Sequence, residues 1–262
     1  MKNRIFFFTG TGNSLKIAKD IAESLTECEI MAICKNTDIN IPTGFERIGF
    51  VFPVYYFGLP EMVADFIRRA NLSKKNAKYY FAVAVPGGIS GKPIVQMDRL
   101  LSEKGLHLNY GIKIRMNANY IISYGSISLY YVTAMKAYDK RIEKIIRDIK
   151  NMETNEIEKY SKRIEKIYLN CICNVHNMDE GYNISDRCTS CGICTGVCPA
   201  GNITLNNGHP IFHHQCECCM ACIQHCPQKA INYRDKTQKR KRYTHPDISY
   251  TEISKYYNNL QS

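Results

Sequence analysis

Phe8-Thr9-Gly10-Thr11-Gly12-Asn13-Ser14 stands between a short apolar run, Met1–Phe8, and a stretch in which Leu15, Ile17, Ala18, Ile21, Ala22 and Leu25 recur at helical spacing. A strand therefore enters a Gly-rich turn and leaves it as a helix. The glycines let the backbone approach an anion closely. Thr9, Thr11 and Ser14 add hydroxyls, and the free N–H groups of the helix start add a positive dipole end. The turn is built for phosphate. Gly12 is followed by Asn13, which excludes a Walker A loop, and Leu15 stands where the dinucleotide fingerprint needs a third Gly or Ala.

Outward from this turn, strands and helices alternate. Strands are expected at Cys28–Cys34, Ile48–Phe52, Tyr79–Val85 and His107–Met116, and helices at about Glu61–Ala70 and Pro93–Glu103. Residues 35–46 hold too little helical pattern for a regular crossover. From about Ser128 to Asn170 the pattern is amphipathic and helical, with a break near Met152–Asn155. This order implies an α/β fold, a doubly wound five-stranded parallel sheet covered on both faces. Such sheets bind ligands at the carboxyl ends of their strands, where Thr9–Ser14, Pro53–Pro60 and Pro86–Gly91 emerge.

Hydroxyls interleaved with glycines suit a terminal monophosphate buried without a cationic partner, as at the phosphate end of FMN. Thr9-Gly10-Thr11-Gly12-Asn13-Ser14 resembles the phosphate loop of flavodoxins, a likeness covering roughly residues 1–150. It implies FMN as cofactor, bound by Thr9, Gly10, Thr11, Gly12, Asn13 and Ser14. The flavin ring would be held by Pro53, Tyr55, Tyr56, Phe57 and Gly58 after the third strand, and by Pro86, Gly87 and Gly88 after the fourth. Simple packing is the alternative role of the three aromatics.

The chain has 13 Cys, an odd number, of which eleven fall between Cys171 and Cys226. With no signal-peptide pattern and no apolar run of membrane-spanning length, a reducing cytoplasm is expected, and the cluster reads as metal ligands. Cys188-x2-Cys191-x2-Cys194-x3-Cys198-Pro199 is repeated 28 residues later as Cys216-x2-Cys219-x2-Cys222-x3-Cys226-Pro227, and Ile203 recurs as Ile231. This duplication resembles the bacterial two-cluster ferredoxin. It implies two 4Fe-4S clusters, one on Cys188, Cys191, Cys194 and Cys226, the other on Cys216, Cys219, Cys222 and Cys198. Zinc sites need neither the third Cys nor the Cys-Pro ending. Cys218, off the spacing, is expected to be a bystander thiol. Cys28 and Cys34 stand apart near the start; Cys171-Ile172-Cys173 is expected to be buried structural Cys rather than a third metal or redox site, and His213, His214 and His225 ordinary surface or packing residues rather than groups that tune the neighbouring cluster.

The two halves together resemble the flavodoxin–ferredoxin fusion proteins of anaerobes. The expected organisation is a flavodoxin-like domain over 1–170, a small α+β ferredoxin-like domain over 171–240 and an extension over 241–262. Clusters move one electron and FMN one or two, so their fusion makes a converter between the two. Net charge is +11, with 22 basic and 13 acidic residues before position 151 and 13 and 11 after it. Each four-thiolate cluster and the FMN phosphate bring about −2, leaving roughly +5 on the loaded protein. That surplus is either a solvated surface or a face for an acidic redox partner, a ferredoxin or flavodoxin; nucleic acid is the weakest reading. Lys239-Arg240-Lys241-Arg242 offers the same choice between solvated tail and docking run. The alternative to electron transfer is an FMN-dependent reductase passing hydride to a small organic acceptor. Asn117, Asn119, Tyr120 and Tyr124 are expected near the flavin edge, with Tyr120 or Tyr124 as proton donor.

Overall fold

The computed structural model describes residues 2–123 and 138–258. Its larger body is the expected five-stranded parallel sheet, in the order β2-β1-β3-β4-β5. The strands are β1 (Asn3–Phe7), β2 (Cys28–Ala32), β3 (Phe45–Pro53), β4 (Ala77–Val85) and β5 (Tyr110–Lys113). Ile5 lies opposite Ile30 on one side and Gly49 on the other. The central strands read as continuous apolar runs because both faces are covered. Phe6 meets Phe66 at 5.0 Å, whereas Phe7, one residue on and facing the other way, meets Tyr256 at 5.0 Å.

Helices α1 (Asn13–Ser24), α2 (Glu61–Arg69) and α3 (Pro93–Ser102) connect the strands, and α4 (Tyr138–Lys150) packs beside α1. The last strand is shorter than its apolar pattern: only Tyr110–Lys113 pair with β4, opposite Phe81–Ala84, although β4 itself runs from Ala77 to Val85. Residues 33–44 form no helix. The long helical pattern divides into α4 and α5 (Lys162–Ile172), separated by an irregular stretch over 151–161. Its start, 128–137, lies outside the described residues, as do Met1 and Tyr124. Helix α5 runs through position 170/171, where the two domains were expected to meet.

The smaller body is built twice. Strand β6 (Tyr182–Ile184) pairs antiparallel with β9 (Ile231–Tyr233), and β7 (Ile203–Asn206) with β8 (His209–Phe212). Short helices α6 (Ile193–Gly196) and α7 (Ala221–His225) carry the middle of each Cys run. The offset of 28 residues maps Ile203 to Ile231, so the sequence repeat is also a structural one.

The stretch after 240 is not a solvated tail. Arg240 Nη1 donates to Ile121 O at 2.5 Å, and Tyr243, His245, Ile248, Ile253 and Tyr257 are buried. The final helix, α8 (Tyr250–Asn258), reaches α1 through Lys19 Nζ and Glu252 Oε1, 2.7 Å apart. Its Tyr257 hydroxyl donates to Thr9 O at 2.5 Å. The extension belongs to the core of the larger body. No helix among the described residues is long and apolar enough to cross a membrane.

Candidate cofactor-binding site

The loops after β1 and β3 diverge where the strand order reverses, and a cavity of about 410 Å³ opens between them. Thr9, Gly10, Thr11, Asn13 and Ser14 line one end, and Pro53, Tyr55, Tyr56 and Phe57 a wall. Gly87 and Gly88 line it from the loop after β4, together with Asn117, Asn119 and Tyr120. The volume is at the small end of the roughly 300–1,000 Å³ typical of small-molecule sites. Gly12, Gly58 and Pro86, also expected at the site, do not line this cavity; Gly12 faces Ile248 and His245, and Gly58 faces Gln96 and Tyr168.

The candidate phosphate end is shaped by one bond and one glycine. Thr9 Oγ1 accepts from Gly12 N at 3.0 Å, closing the turn. Gly12 takes a φ of 98°, left-handed backbone that favours glycine, and a Cβ there would stand 2.8 Å from Ile248 Cβ. No side chain caps α1 and no acidic residue occupies its first turn, so the positive helix end stays available for an anion.

The aromatic wall is a tight turn. Tyr55 N donates to Gly58 O at 3.0 Å and Gly58 N to Tyr55 O at 2.8 Å. Between them Tyr56 and Phe57 have φ of 48° and 73°. Two consecutive non-glycine residues in this region cost about 1–2 kcal/mol each, a strain that clusters at ligand clamps. Burial pushes the Tyr55 hydroxyl far above its ordinary pKa, and that of Tyr56 likewise.

FMN fits these residues by a test independent of their motif. The Tyr55 hydroxyl and Asn117 Nδ2 are buried, line the cavity and have no hydrogen-bond partner among the described residues. Native proteins leave few such groups unpaired, so a ligand with polar edges is needed to satisfy them.

The eight repeated cysteines surround two further holes. Cys188, Cys191, Cys194 and Cys226 line one, and Cys198, Cys216, Cys219 and Cys222 the other. Each run thus sends its fourth Cys to its neighbour's hole. Among the described residues no three His, Cys, Asp or Glu side chains converge on a single metal-ion position. Four thiols around a hole fit a polynuclear cluster better than one zinc ion. Burial pushes the Cys216, Cys219 and Cys222 thiols upward, so thiolates there need a cationic core beside them.

The second hole adjoins the flavin cavity. A Cβ on Gly10 would fall 2.1 Å from Cys219 O, and Asn119 Nδ2 lies 3.4 Å from the same oxygen. Cys218 is a wall of the cavity and accepts from the Tyr56 hydroxyl at 3.3 Å. His225 is half-buried with Nε2 3.3 Å from Gly10 O, and desolvation lowers its pKa to about 4. His213 bonds Thr204, and His214 bonds Asp179 at 2.8 Å. Cys171 and Cys173 are exposed.

Sequence reasoning missed the residues that bind the phosphate loop from far along the chain. Tyr243 Oη donates to Asn13 Oδ1 at 2.7 Å, Asn13 Nδ2 donates to Asn117 O at 2.9 Å, and His245 N donates to Thr11 O at 2.8 Å. The Tyr-rich composition of the extension was the only signal.

Comparison with known proteins agrees with these two bodies. Residues 4–108 match the family described as Flavodoxin domain, and residues 187–231 the family described as 4Fe-4S dicluster domain. No curated protein matches the chain. Among solved structures, it resembles the flavodoxin of Streptococcus pneumoniae TIGR4 (16% identity, 55% of this chain and 99% of that one, TM-score 0.37). It also resembles an FMN-dependent NADH-azoreductase from Bacillus anthracis in complex with FMN (10%, 57% and 99%, 0.39). A third is the rubredoxin oxygen:oxidoreductase of the anaerobe Desulfovibrio gigas (15%, 58% and 36%, 0.36). The strand order of the sheet itself carries the fold assignment.

Proposed function

We propose that this chain, which joins a flavodoxin domain to a 4Fe-4S dicluster domain, relays electrons between two 4Fe-4S clusters and FMN, taking them from an acidic low-potential ferredoxin in a reducing cytoplasm. The family matches already support flavin and iron–sulfur electron transfer. The relay reading is carried by one contact, Gly10 against Cys219, which joins the phosphate loop to a cysteine of the second hole. Bound clusters would supply single electrons, and FMN would take one or two.

The residues suggest an order of transfer among the three sites. Cys191 is exposed and brings the first hole to the surface, where a partner reaches it. Cys219 is buried and brings the second hole to the flavin. Tyr56 and Phe57 wall the cavity, and Thr9, Gly10 and Thr11 receive the phosphate. A net positive surface favours an acidic donor.

Hydride transfer to a small organic acceptor is less well supported. Tyr120 lines the cavity, but burial, with the Cys218 thiol beside it, raises its pKa to about 12. A general acid works best with a pKa near the operating pH. The test is anaerobic quantification of iron, sulfide and flavin, followed by stepwise reduction of the purified chain. About eight irons and one FMN, reduced in linked steps by a reduced acidic ferredoxin, are expected. Iron without flavin overturns the flavin half of the proposal.

A further inference from the structure

Arg242 closes the basic run, yet it is not a surface charge. Its Nη2 donates to Ile231 O at 3.1 Å and to Asn232 Oδ1 at 2.8 Å. Its Nε and Nη1 are both buried and have no hydrogen-bond partner among the described residues. A buried guanidinium with two idle donors is rare in a native protein, because each N–H has been taken from water with nothing in exchange. The missing acceptor is a group that the described polypeptide does not supply.

The surroundings of Arg242 say which group. Ile231, whose carbonyl accepts from Nη2, also lines the hole shared by Cys188, Cys191, Cys194 and Cys226. The next residue, Tyr243, donates its N–H to Gln224 Oε1 at 2.7 Å. Gln224 sits on α7 between Cys222, which faces one hole, and Cys226, which faces the other. Burial pulls the Arg242 pKa down, the thiols of Cys226 and Cys222 oppose this, and Arg187 adds to it. No carboxylate is among these neighbours.

Resting on the reading of the two cysteine sets as cluster ligands, we propose that Arg242 donates its idle Nε–H and Nη1–H to sulfur of the cluster held through Cys226, and raises that cluster's reduction potential. A four-thiolate cluster is anionic, and reduction adds one electron and no proton. A fixed positive charge therefore stabilises the reduced form more than the oxidised one. Hydrogen bonds to the sulfurs and local charge are the two levers a protein has on such a potential. The cluster reached through Cys222 feels the same charge from further off. Arg242 is thus a tuning residue, and the extension that carries it also holds the phosphate loop through Tyr243.

The test uses the full chain, reconstituted anaerobically, as wild type, Arg242→Gln and Arg242→Lys. Iron and sulfide are quantified, and both clusters are titrated with EPR detection. Arg242→Gln is expected to keep its iron and to shift the reduction equilibrium of one cluster about tenfold toward the oxidised form. That is about 59 mV lower for a one-electron couple, with a smaller shift for the other cluster. Arg242→Lys, which keeps the charge without the planar fork, is expected to fall between. Full iron with both potentials unchanged in Arg242→Gln overturns the proposal and leaves Arg242 a strand-pinning residue. If Arg242→Gln loses iron, Arg242→Lys decides: a lowered potential supports the proposal, and a wild-type potential overturns it. Pulsed EPR of reduced protein labelled with 15N-arginine gives an independent reading. A 15N coupling present in wild type and lost in Arg242→Lys supports the contact, and identical couplings overturn it. A wild-type chain that binds no iron overturns the cluster reading instead, and is distinguished by the iron assay alone.

Discussion

Cys219 O lies 2.1 Å from the point where a Cβ on Gly10 would stand, so the loop that carries a candidate cluster ligand touches the candidate phosphate loop. No side chain separates them. The two bodies of the molecule meet backbone to backbone at the place where electrons would cross.

Gly10→Ala tests that contact. The new methyl meets a carbonyl held by its own loop, which cannot swing aside as a flexible side chain would. Overpacking of this kind costs about 1–3 kcal/mol, or roughly 5- to 150-fold in flavin affinity. Flavin retention and iron content of the purified variant measure it. Wild-type retention of both would show that the loops can part freely.

Cys198→Ala tests the exchange of ligands between the runs. Cys198 faces the hole lined by Cys216, Cys219 and Cys222. The variant is expected to lose about four irons from that site while the site of Cys188, Cys191, Cys194 and Cys226 keeps its EPR signal. Loss of the signal from the latter site alone would refute the cross-ligation.

Tyr243→Phe removes the donor to Asn13 Oδ1 and leaves that buried acceptor unpaired. The expected cost is about 1–3 kcal/mol of stability, seen as a lower denaturation midpoint and faster flavin release. Tyr257→Phe does the same to Thr9 O. Unchanged midpoints in both would mean that the extension lies on the phosphate loop without holding it.

Acid should loosen the same contact through His245. Its Nδ1 accepts from Asp247 N at 3.2 Å, and its Nε2 is buried without a partner among the described residues. Burial lowers its pKa, with Asp247, Lys16 and Asp20 as the charges that act on it. The folded state thus binds this proton less readily than the unfolded one, so stability is fully present above about pH 6.5 and declines as pH falls toward the folded-state value. Thermal midpoints at pH 7.5 and pH 5.5 measure the slope, which His245→Gln should flatten.

Salt should slow reduction by an acidic ferredoxin. With a Debye length of about 10 Å at 0.1 M, steering between a basic acceptor and an acidic donor weakens as ionic strength rises. Stopped-flow rates that do not fall with salt would mean that the acidic donor does not dock on a basic face of this chain.

Local chemistry was legible from the residues. The Gly-rich turn was legible as a strand-to-helix junction at the cavity, because its glycines and hydroxyls are six consecutive residues. The cysteine runs announced iron, because their spacing and their 28-residue repeat are written in the chain itself. Strand and helix order followed from apolar periodicity. The ends of β5 did not, since it pairs with only Phe81–Ala84 of the longer β4, and a single segment carries no record of how much of a neighbour it will pair with.

What the tertiary structure alone decided is how the pieces meet. Cys218, off the ligand spacing, lines the flavin cavity because the turn of Tyr56 and Phe57 is folded against it. Arg242, in a run whose composition reads as solvated, is half-buried, with its Nε and Nη1 covered and cysteines of both holes acting on its charge. The last sixteen described residues, 243–258, pack on the candidate phosphate loop some 230 positions from it in sequence, as Tyr243 does on Asn13. Composition fixes what a side chain can bond to, but burial depends on which distant segment packs on it, and only the folded chain determines that.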